Sequence, residues 1–195
     1  EGSDLIAVTG LVSTMEAGDN FVTILYDTTL ARQWDRTYNG PGGTDDTPFG
    51  VEIDAAGNVF VTGDSDGGEA AGRDIATLKY DALGNLAWTR RYNGTASLDD
   101  APAAMAMDPS GNVYVTGWSL GADGRAEYAT IKYDPAGVAR WVTEFRGGLL
   151  GVDMARAVAV DAEGNVIVTG RTQFYATGPI IHWNFATFKF RKEEF

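Results

Sequence analysis

The sequence predicts an all-β protein built from about four copies of a four-stranded antiparallel unit. The tripeptide Val-Thr-Gly begins at positions 8, 61, 115 and 168, so its copies lie 53 or 54 residues apart. Around each copy, apolar residues alternate with other residues, as expected for half-buried strands. Glycine accounts for 25 of the 195 residues, which indicates many tight turns. No segment shows the three- and four-residue apolar spacing of an amphipathic helix.

The first two strands of each unit, strands a and b, are joined by the recurring pattern Asp-x-x-Gly-Asn. Strand a alternates apolar residues with others, the turn follows, and strand b then carries Val-Thr-Gly. Asp accepts backbone hydrogen bonds within such a turn, and Gly supplies the positive φ that it needs. Three copies of strand a and the turn are visible, at 51–58, 105–112 and 158–165.

The third and fourth strands of each unit, strands c and d, are rich in bulky and aromatic residues. Strand c carries such residues on both faces, which predicts that it is buried between two neighbouring sheets. Its copies lie at 20–27, 74–81, 127–134 and 184–190. Strand d carries Trp34, Trp88 or Trp141 in register, and we expect these rings in the core between units.

Four short strands in each repeat of this length are typical of a β-propeller. The predicted fold is therefore a β-propeller, or a partial propeller, of four-stranded antiparallel blades. No linker separates the copies, so we expect a single domain over 1–195. Its approximate repeats are 1–46, 47–100, 101–153 and 154–195.

The outer repeats are incomplete in this sequence, since the first begins at strand b and the fourth stops after strand c. Residues 5–8 and 185–189 then lack the neighbouring strands that the central repeats have. Unpaired strand edges invite pairing with another chain. We therefore expect another copy of the chain, a partner subunit or further repeats of a longer parent protein to complete the propeller.

The full frame is Gly-Asn-Val-x-Val-Thr-Gly, then Ala-Thr-x-Lys-Tyr-Asp, then Trp and Tyr-Asn-Gly. It resembles the SBBP family of bacterial β-propeller repeats over nearly the whole chain. The resemblance implies a module of a large secreted or surface protein of bacteria and carries no catalytic residues with it. The first copy departs from the frame, because 27–30 lacks the glycine found at Gly84.

Charge and composition exclude several classes of partner. The net charge is −12, which disfavours nucleic acid and anionic membrane surfaces. No apolar run reaches the length of a membrane helix, so we expect no membrane insertion. There is no cysteine, which excludes disulfides and thiolate metal sites.

Acidic residues follow strand d in the first three repeats, at Asp46, Asp100 and Asp153. If the connections between strands d and a converge at the mouth of a central channel, these carboxylates could bind Ca²⁺. They could equally cap turns or remain solvated. The Asp-x-x-Gly-Asn turns offer too few oxygen ligands for calcium, so we interpret them as hairpins. No other cofactor is expected.

The connections between strands b and c are the best candidates for binding a ligand or partner, because they vary between repeats. They span 65–73, 118–126 and 171–183, and the last is the longest. The candidate binding residues are Trp118 in the second and Phe174, Tyr175, His182 and Trp183 in the third. Packing of these aromatic rings on a neighbouring blade is the alternative.

These observations favour a non-enzymatic scaffold or protein-interaction module, located extracellularly, at the cell surface or in the periplasm of a bacterium. A propeller that binds carbohydrate or a small ligand through the variable connections is the alternative, although their differences disfavour one identical pocket in each blade. A hydrolase that uses the carboxylates of the pairs Asp45–Asp46 and Asp99–Asp100 is a third hypothesis. His182 is the only histidine, and no nucleophile and acid accompany it, so we predict no enzymatic activity.

Overall fold

The computed structural model describes residues 5–15, 18–68, 72–147, 151–175 and 181–191, without the side chains of 174, 175, 181 and 182. The described residues form 14 strands and no helix, so none that could span a bilayer. The all-β prediction is confirmed. The strands are β1 Leu5–Thr14, β2 Gly18–Asp27, β3 Arg32–Tyr38, β4 Asp46–Ile53, β5 Val59–Asp66, β6 Arg73–Tyr80, β7 Leu86–Tyr92, β8 Asp100–Met107, β9 Val113–Leu120, β10 Ala126–Tyr133, β11 Ala139–Phe145, β12 Met154–Val160, β13 Val166–Tyr175 and β14 Ile181–Phe190.

The strands form four antiparallel sheets in chain order. Sheet 1 contains β1 to β3, sheet 2 β4 to β7, sheet 3 β8 to β11 and sheet 4 β12 to β14. The predicted strand content is confirmed, with b, c and d in sheet 1, all four strands in sheets 2 and 3, and a, b and c in sheet 4. Each sheet packs on the next one, and among the described residues no comparable contact joins sheet 4 to sheet 1. The sheets therefore form propeller blades that do not close a ring.

Each innermost strand contains one β-bulge at the same place in the repeat. The register shifts around Phe49 in β4, around Ala103 in β8 and around Arg156 in β12. A bulge leaves one residue unpaired and redirects its side chain. The side chains of these three repeat-equivalent residues therefore do not follow the regular alternation of their strands.

The turns between strands a and b are held by their own aspartate. The Asp108 carboxylate accepts the backbone N–H groups of Ser110 at 2.9 Å and Asn112 at 3.0 Å, while Asn112 also donates its side-chain amide to it at 2.7 Å. Gly111 has a φ of +78°. These bonds agree with the interpretation of the turns as hairpins.

The threonine of each Val-Thr-Gly connects strands b and c by a hydrogen bond, and it is buried in sheets 2 and 3. Thr62 Oγ1 donates to the carbonyl of Ala76 at 3.0 Å, and Thr116 Oγ1 donates to the carbonyl of Ala129 at 3.1 Å. A buried hydroxyl without such a partner would destabilise the fold. The repeated threonine is thus explained by a repeated hydrogen bond.

The core consists of three apolar clusters, one in each interface between neighbouring sheets. Trp34 and Trp88 are buried there, and their indole N–H groups donate to the carbonyls of Ala82 and Pro135, both at 3.2 Å. Trp141 packs against Tyr114 of its own sheet and Phe190 of sheet 4. The prediction that the repeated tryptophans lie between units is confirmed.

Strand c is buried on both faces in sheets 2 and 3, as predicted for β6 and β10. The prediction is wrong for β14, where residues 183–185, Thr187 and Lys189 are exposed. Only one face of β14 packs on sheet 3, because no further sheet covers the other face in the described residues.

The variable b–c connections are shorter than predicted. Strands β13 and β14 remain paired from Val166 and Phe190 to Tyr175 and Ile181, so much of 171–183 is strand and not loop. The prediction was wrong because backbone hydrogen bonds between β13 and β14 extend the hairpin, although its side chains do not alternate regularly. Residues 176–180 lie outside the described residues.

Candidate functional site

A cavity of about 420 Å³ lies where sheets 2, 3 and 4 meet, and one predicted binding residue lines it. Trp118, at the end of strand β9, is that residue, and it is half-buried. The other lining residues are Phe49, Asp64, Ala101, Pro102, Ala103 and Arg156.

The lining combines two sets of repeat-equivalent positions that vary between copies. The bulges supply Phe49, Ala103 and Arg156, one from each innermost strand. The position directly after Val-Thr-Gly supplies Asp64 and Trp118. A constant frame thus holds variable side chains around one cavity, which is how rigid scaffolds commonly present binding residues.

Sequence reasoning missed Phe49 and Arg156. The available signal was a position where the copies carry Phe, Ala and Arg between residues that otherwise correspond. The bulge that turns this position toward the cavity is a property of strand pairing, and the order of the residues alone does not show it.

Two cationic side chains near the cavity share a weak acceptor. Arg156 Nη2 lies 3.7 Å and Arg171 Nη2 lies 3.0 Å from the thioether sulfur of Met154. In the part of the chain that the structure describes, no carboxylate forms an ion pair with either guanidinium. Arg171 Nε is in addition buried without a hydrogen-bond partner. Among the described residues, the positive charge of this region is therefore not neutralised by an ion pair.

Asp64 is the one carboxylate among the described residues that line the cavity, and it is already engaged. Asp64 forms an ion pair with Arg73, and Arg73 Nη2 also lies 3.5 Å from Thr47 Oγ1. Burial raises the pKa of Asp64, although the Arg73 guanidinium opposes this increase. The Asp64 carboxylate therefore balances the charge of Arg73 and does not balance the charge of Arg156.

The remaining candidates of the longest b–c connection lie on the hairpin of β13 and β14. Trp183 is 50% exposed, and the guanidinium carbon of Arg171 lies 4.6 Å from its ring centroid. Phe174 and His182 are paired in the backbone register, as are Tyr175 and Ile181. The side chains of Phe174, Tyr175 and His182 lie outside the described residues.

The three aspartates proposed as calcium ligands serve separate turns. Asp46, Asp100 and Asp153 are buried, and each accepts the backbone N–H of a glycine six residues earlier, at 2.6, 2.7 and 2.7 Å. Thr172 also donates to Asp153. These bonds support the alternative that the three carboxylates cap turns. No group of three or more acidic or histidine side chains that could hold a metal ion occurs in the described ranges.

Asp100 makes the stability of the fold depend on pH. Burial raises its pKa from the usual 3.8 to about 6, against the opposing effect of the Gly94 N–H. The folded chain therefore binds this proton more tightly than the unfolded chain, and the charged form costs stability above the folded-state pKa. As pH falls from about 7 to 4, wild type should gain on the order of 2 kcal/mol relative to Asp100→Asn.

Urea unfolding of both proteins across this pH range measures that difference, and above pH 7 it should be constant. Asp161→Asn is the contrasting control, because Lys189 and Asn165 hold the pKa of Asp161 well below its usual range. Wild type should lose stability relative to Asp161→Asn as pH falls. A difference between wild type and Asp100→Asn that does not change with pH would contradict the prediction.

Comparison with known proteins identifies one segment of the chain. Residues 87–125 match a family model described as SBBP, a beta-propeller repeat. The segment contains most of β7, all of β8 and β9 and the connection that follows β9, so it includes Trp118. No curated protein matches the sequence. The resemblance found in the sequence is therefore confirmed over residues 87–125, where the chain is similar to the β-propeller repeat of the SBBP family.

Proposed function

We propose that the chain is a non-enzymatic propeller scaffold that binds protein through the uncovered faces of its first and last sheets. One observation carries this proposal. Positions that are buried in every internal interface between sheets are exposed on these two faces.

Each interface between neighbouring sheets is formed by one face of the first sheet and the opposite face of the second. We call the face of sheet 2 that carries Phe60 and Ile75 the forward face, and the opposite face, with Val59 and Val61, the rear face. The forward face of sheet 2 packs on the rear face of sheet 3, in one cluster that also includes Val115. The rear face of sheet 2 packs on sheet 1 in the same manner. The repeat therefore has a polarity, with a forward face always meeting a rear face.

The rear face of sheet 1 is uncovered. Ile6 and Val8 are 42% and 46% exposed, whereas their repeat equivalents Val59 and Val61 are fully buried. Residues of this type are placed at the surface at a free-energy cost, because burying one side chain gains about 1.5–3 kcal/mol. This face has the residues of an interface and lacks the partner.

The forward face of sheet 4 is uncovered in turn. Phe185 is 88% exposed, whereas its repeat equivalent Ile75 is fully buried. Ile167, Thr187 and Lys189 occupy the positions of Phe60, Thr77 and Lys79. Strands β1 and β14 are also edge strands of their sheets, and free edges add unpaired backbone groups that favour association.

One forward face and one rear face are thus exposed on the same molecule. The partner that fits both is a second copy of the chain, bound head to tail so that sheet 4 of one copy packs on sheet 1 of the next. Such a heterologous contact produces a ring when its rotation closes and a filament when it does not. The same faces would accept a partner subunit or further repeats of a parent protein.

The substitution Phe185→Glu tests this association. It places a charge in the proposed contact, and loss of the buried ring alone should weaken association by about tenfold or more. Light scattering after size exclusion, over a range of micromolar concentrations, measures the mass of the wild type and the variant. Wild type should form dimers or larger species, and the variant should be shifted toward monomer.

Leu83→Glu is the matched control, since Leu83 is 76% exposed but lies in the turn between β6 and β7. It should associate as wild type does. A wild-type chain that stays monomeric throughout the range, or equal weakening by both substitutions, would overturn the head-to-tail association of copies. Circular dichroism should show the same strand content in all three proteins.

We also propose that the protein is located outside the bacterial cytoplasm. This location is supported by the resemblance to repeats of large secreted or surface proteins. Fractionation of the source cells, with detection of the chain by antibody, tests this location. Recovery in the cytoplasmic fraction alone would contradict it.

A further inference from the structure

We propose that the cavity between sheets 2, 3 and 4 binds a small organic acid whose carboxylate is attached to a flat six-membered ring. This site is separate from the faces proposed for association. Its lining comes from three sheets, and its volume of about 420 Å³ lies in the range of about 300–1,000 Å³ found for ligand pockets.

The arginine side chains offer hydrogen-bond donors and positive charge that suit an anion. Arg156 lines the cavity, and its guanidinium has only the Met154 sulfur as a hydrogen-bond partner in the described residues. Arg171 donates to the same sulfur, and its Nε is buried without a partner. Two guanidinium groups repel each other, and a thioether is a weak acceptor for either. A carboxylate would supply the strong, planar acceptor that arginine binds with two parallel hydrogen bonds.

The aromatic lining favours a ring on that acid. Trp118 and Phe49 line the same cavity as Arg156, together with Pro102. Aromatic side chains offer large apolar surfaces and prefer flat partners in offset or edge contacts. The ligand should therefore combine an apolar or weakly polar flat body with one acidic group.

A single negative charge fits better than several. The net charge of −12 repels anions at long range, so a multiply charged ligand would be disfavoured before it reaches the site. Asp64 does not compete for Arg156, because Arg73 already pairs with it. An aromatic acid has this chemistry, whereas an acidic sugar, with its puckered ring and its hydroxyl groups, does not.

The probes are benzoate and glucuronate, with benzamide and glucose as their neutral counterparts. Ligand-detected NMR and calorimetric titration on the whole chain measure the affinities. Benzoate should bind, and benzamide should bind at least tenfold more weakly. Glucuronate should bind more weakly than benzoate, because its ring is not flat. Failure of benzoate to bind, equal affinity of benzoate and benzamide, or preference for glucuronate would overturn the proposal.

Arg156→Gln should weaken binding of the acid by about tenfold or more, because it removes a charge-assisted hydrogen bond. Arg32→Gln is the matched control, since Arg32 is solvent-exposed and pairs with Asp35 on sheet 1. Arg32→Gln should bind as wild type, and so should Phe185→Glu, which separates this site from the association face. Equal affinity of Arg156→Gln and Arg32→Gln would refute the assignment. Arg156 is exposed, so its replacement should leave the melting curve unchanged.

Discussion

Replacing Gly117 by alanine is expected to lower the free energy of unfolding by about 3 kcal/mol or more, at the upper end of the range for overpacked sites. Gly117 ends the third Val-Thr-Gly and lies opposite Pro102 in β8. A Cβ added there would overlap the carbonyl oxygen of Ala101 and lie 2.7 Å from Pro102 Cα. Both are backbone atoms, so no side-chain rotation relieves the overlap. Strand β8 would have to move away from β9 and disturb the bulge at Ala103.

Gly10 provides a control within the same motif. It ends the first Val-Thr-Gly, but no atom lies within 4 Å of a Cβ added there. Alanine is preferred over glycine inside a strand by about 0.5–1 kcal/mol. Gly10→Ala should therefore be neutral or slightly stabilising in the monomeric chain. Urea unfolding of the two variants measures both effects, and equal destabilisation by them would show that the a–b contact is not the cause.

The repeat explains why so much of the fold could be predicted from the sequence. Each copy confirmed the position of the others, so strands and turns were recognised even where one copy is degenerate, as at 27–30. The tryptophans recur in register, and only the core between sheets offers Trp34 and Trp88 the same surroundings. A residue that recurs at the same position of every repeat therefore indicates that this position has the same environment in every repeat.

The candidate site was less predictable because it is built from positions that do not repeat. Phe49 and Arg156 reach the cavity through bulges, and a bulge depends on how two strands pair. The sequence left the aspartates as calcium ligands, turn caps or solvated residues, and their hydrogen bonds support the turn caps. Asp100 is an acidic residue in a glycine-rich connection, where solvent exposure is usual. In the structure it is buried, and it accepts a hydrogen bond from the Gly94 N–H within its own turn.

The apparent loop at 171–183 shows a third limit. Its aromatic and polar residues form no regular alternation, which is typical of a connection. Backbone pairing of β13 with β14 nevertheless continues to Tyr175 and Ile181. A hairpin gains its backbone hydrogen bonds whatever the side chains are, so side-chain pattern alone could not give its length.

Gly137→Ala should destabilise the fold by about 2–3 kcal/mol, for a reason that involves Trp88 of the preceding sheet. Gly137 has a φ of +78°, and an added Cβ would lie 2.8 Å from Trp88 Cδ2. The indole of Trp88 and the guanidinium of Arg90 both donate to this turn, at the carbonyls of Pro135 (3.2 Å) and Gly137 (2.6 Å). Displacing the ring would weaken both bonds and open the interface between sheets 2 and 3.

Gly124→Ala separates the backbone cost from the packing cost. Gly124 has a similar φ of +72°, but a Cβ there meets no atom within 4 Å. It should cost only about 1 kcal/mol, which is the strain of a left-handed alanine. Urea unfolding, followed by tryptophan fluorescence, gives both values. The excess at Gly137 should disappear when Gly137→Ala is made in a Trp88→Leu background, because the two substitutions remove the same contact. If the excess persists there, the turn of β10 and β11 is strained by something other than the indole, and the tryptophan does not link neighbouring blades in this way.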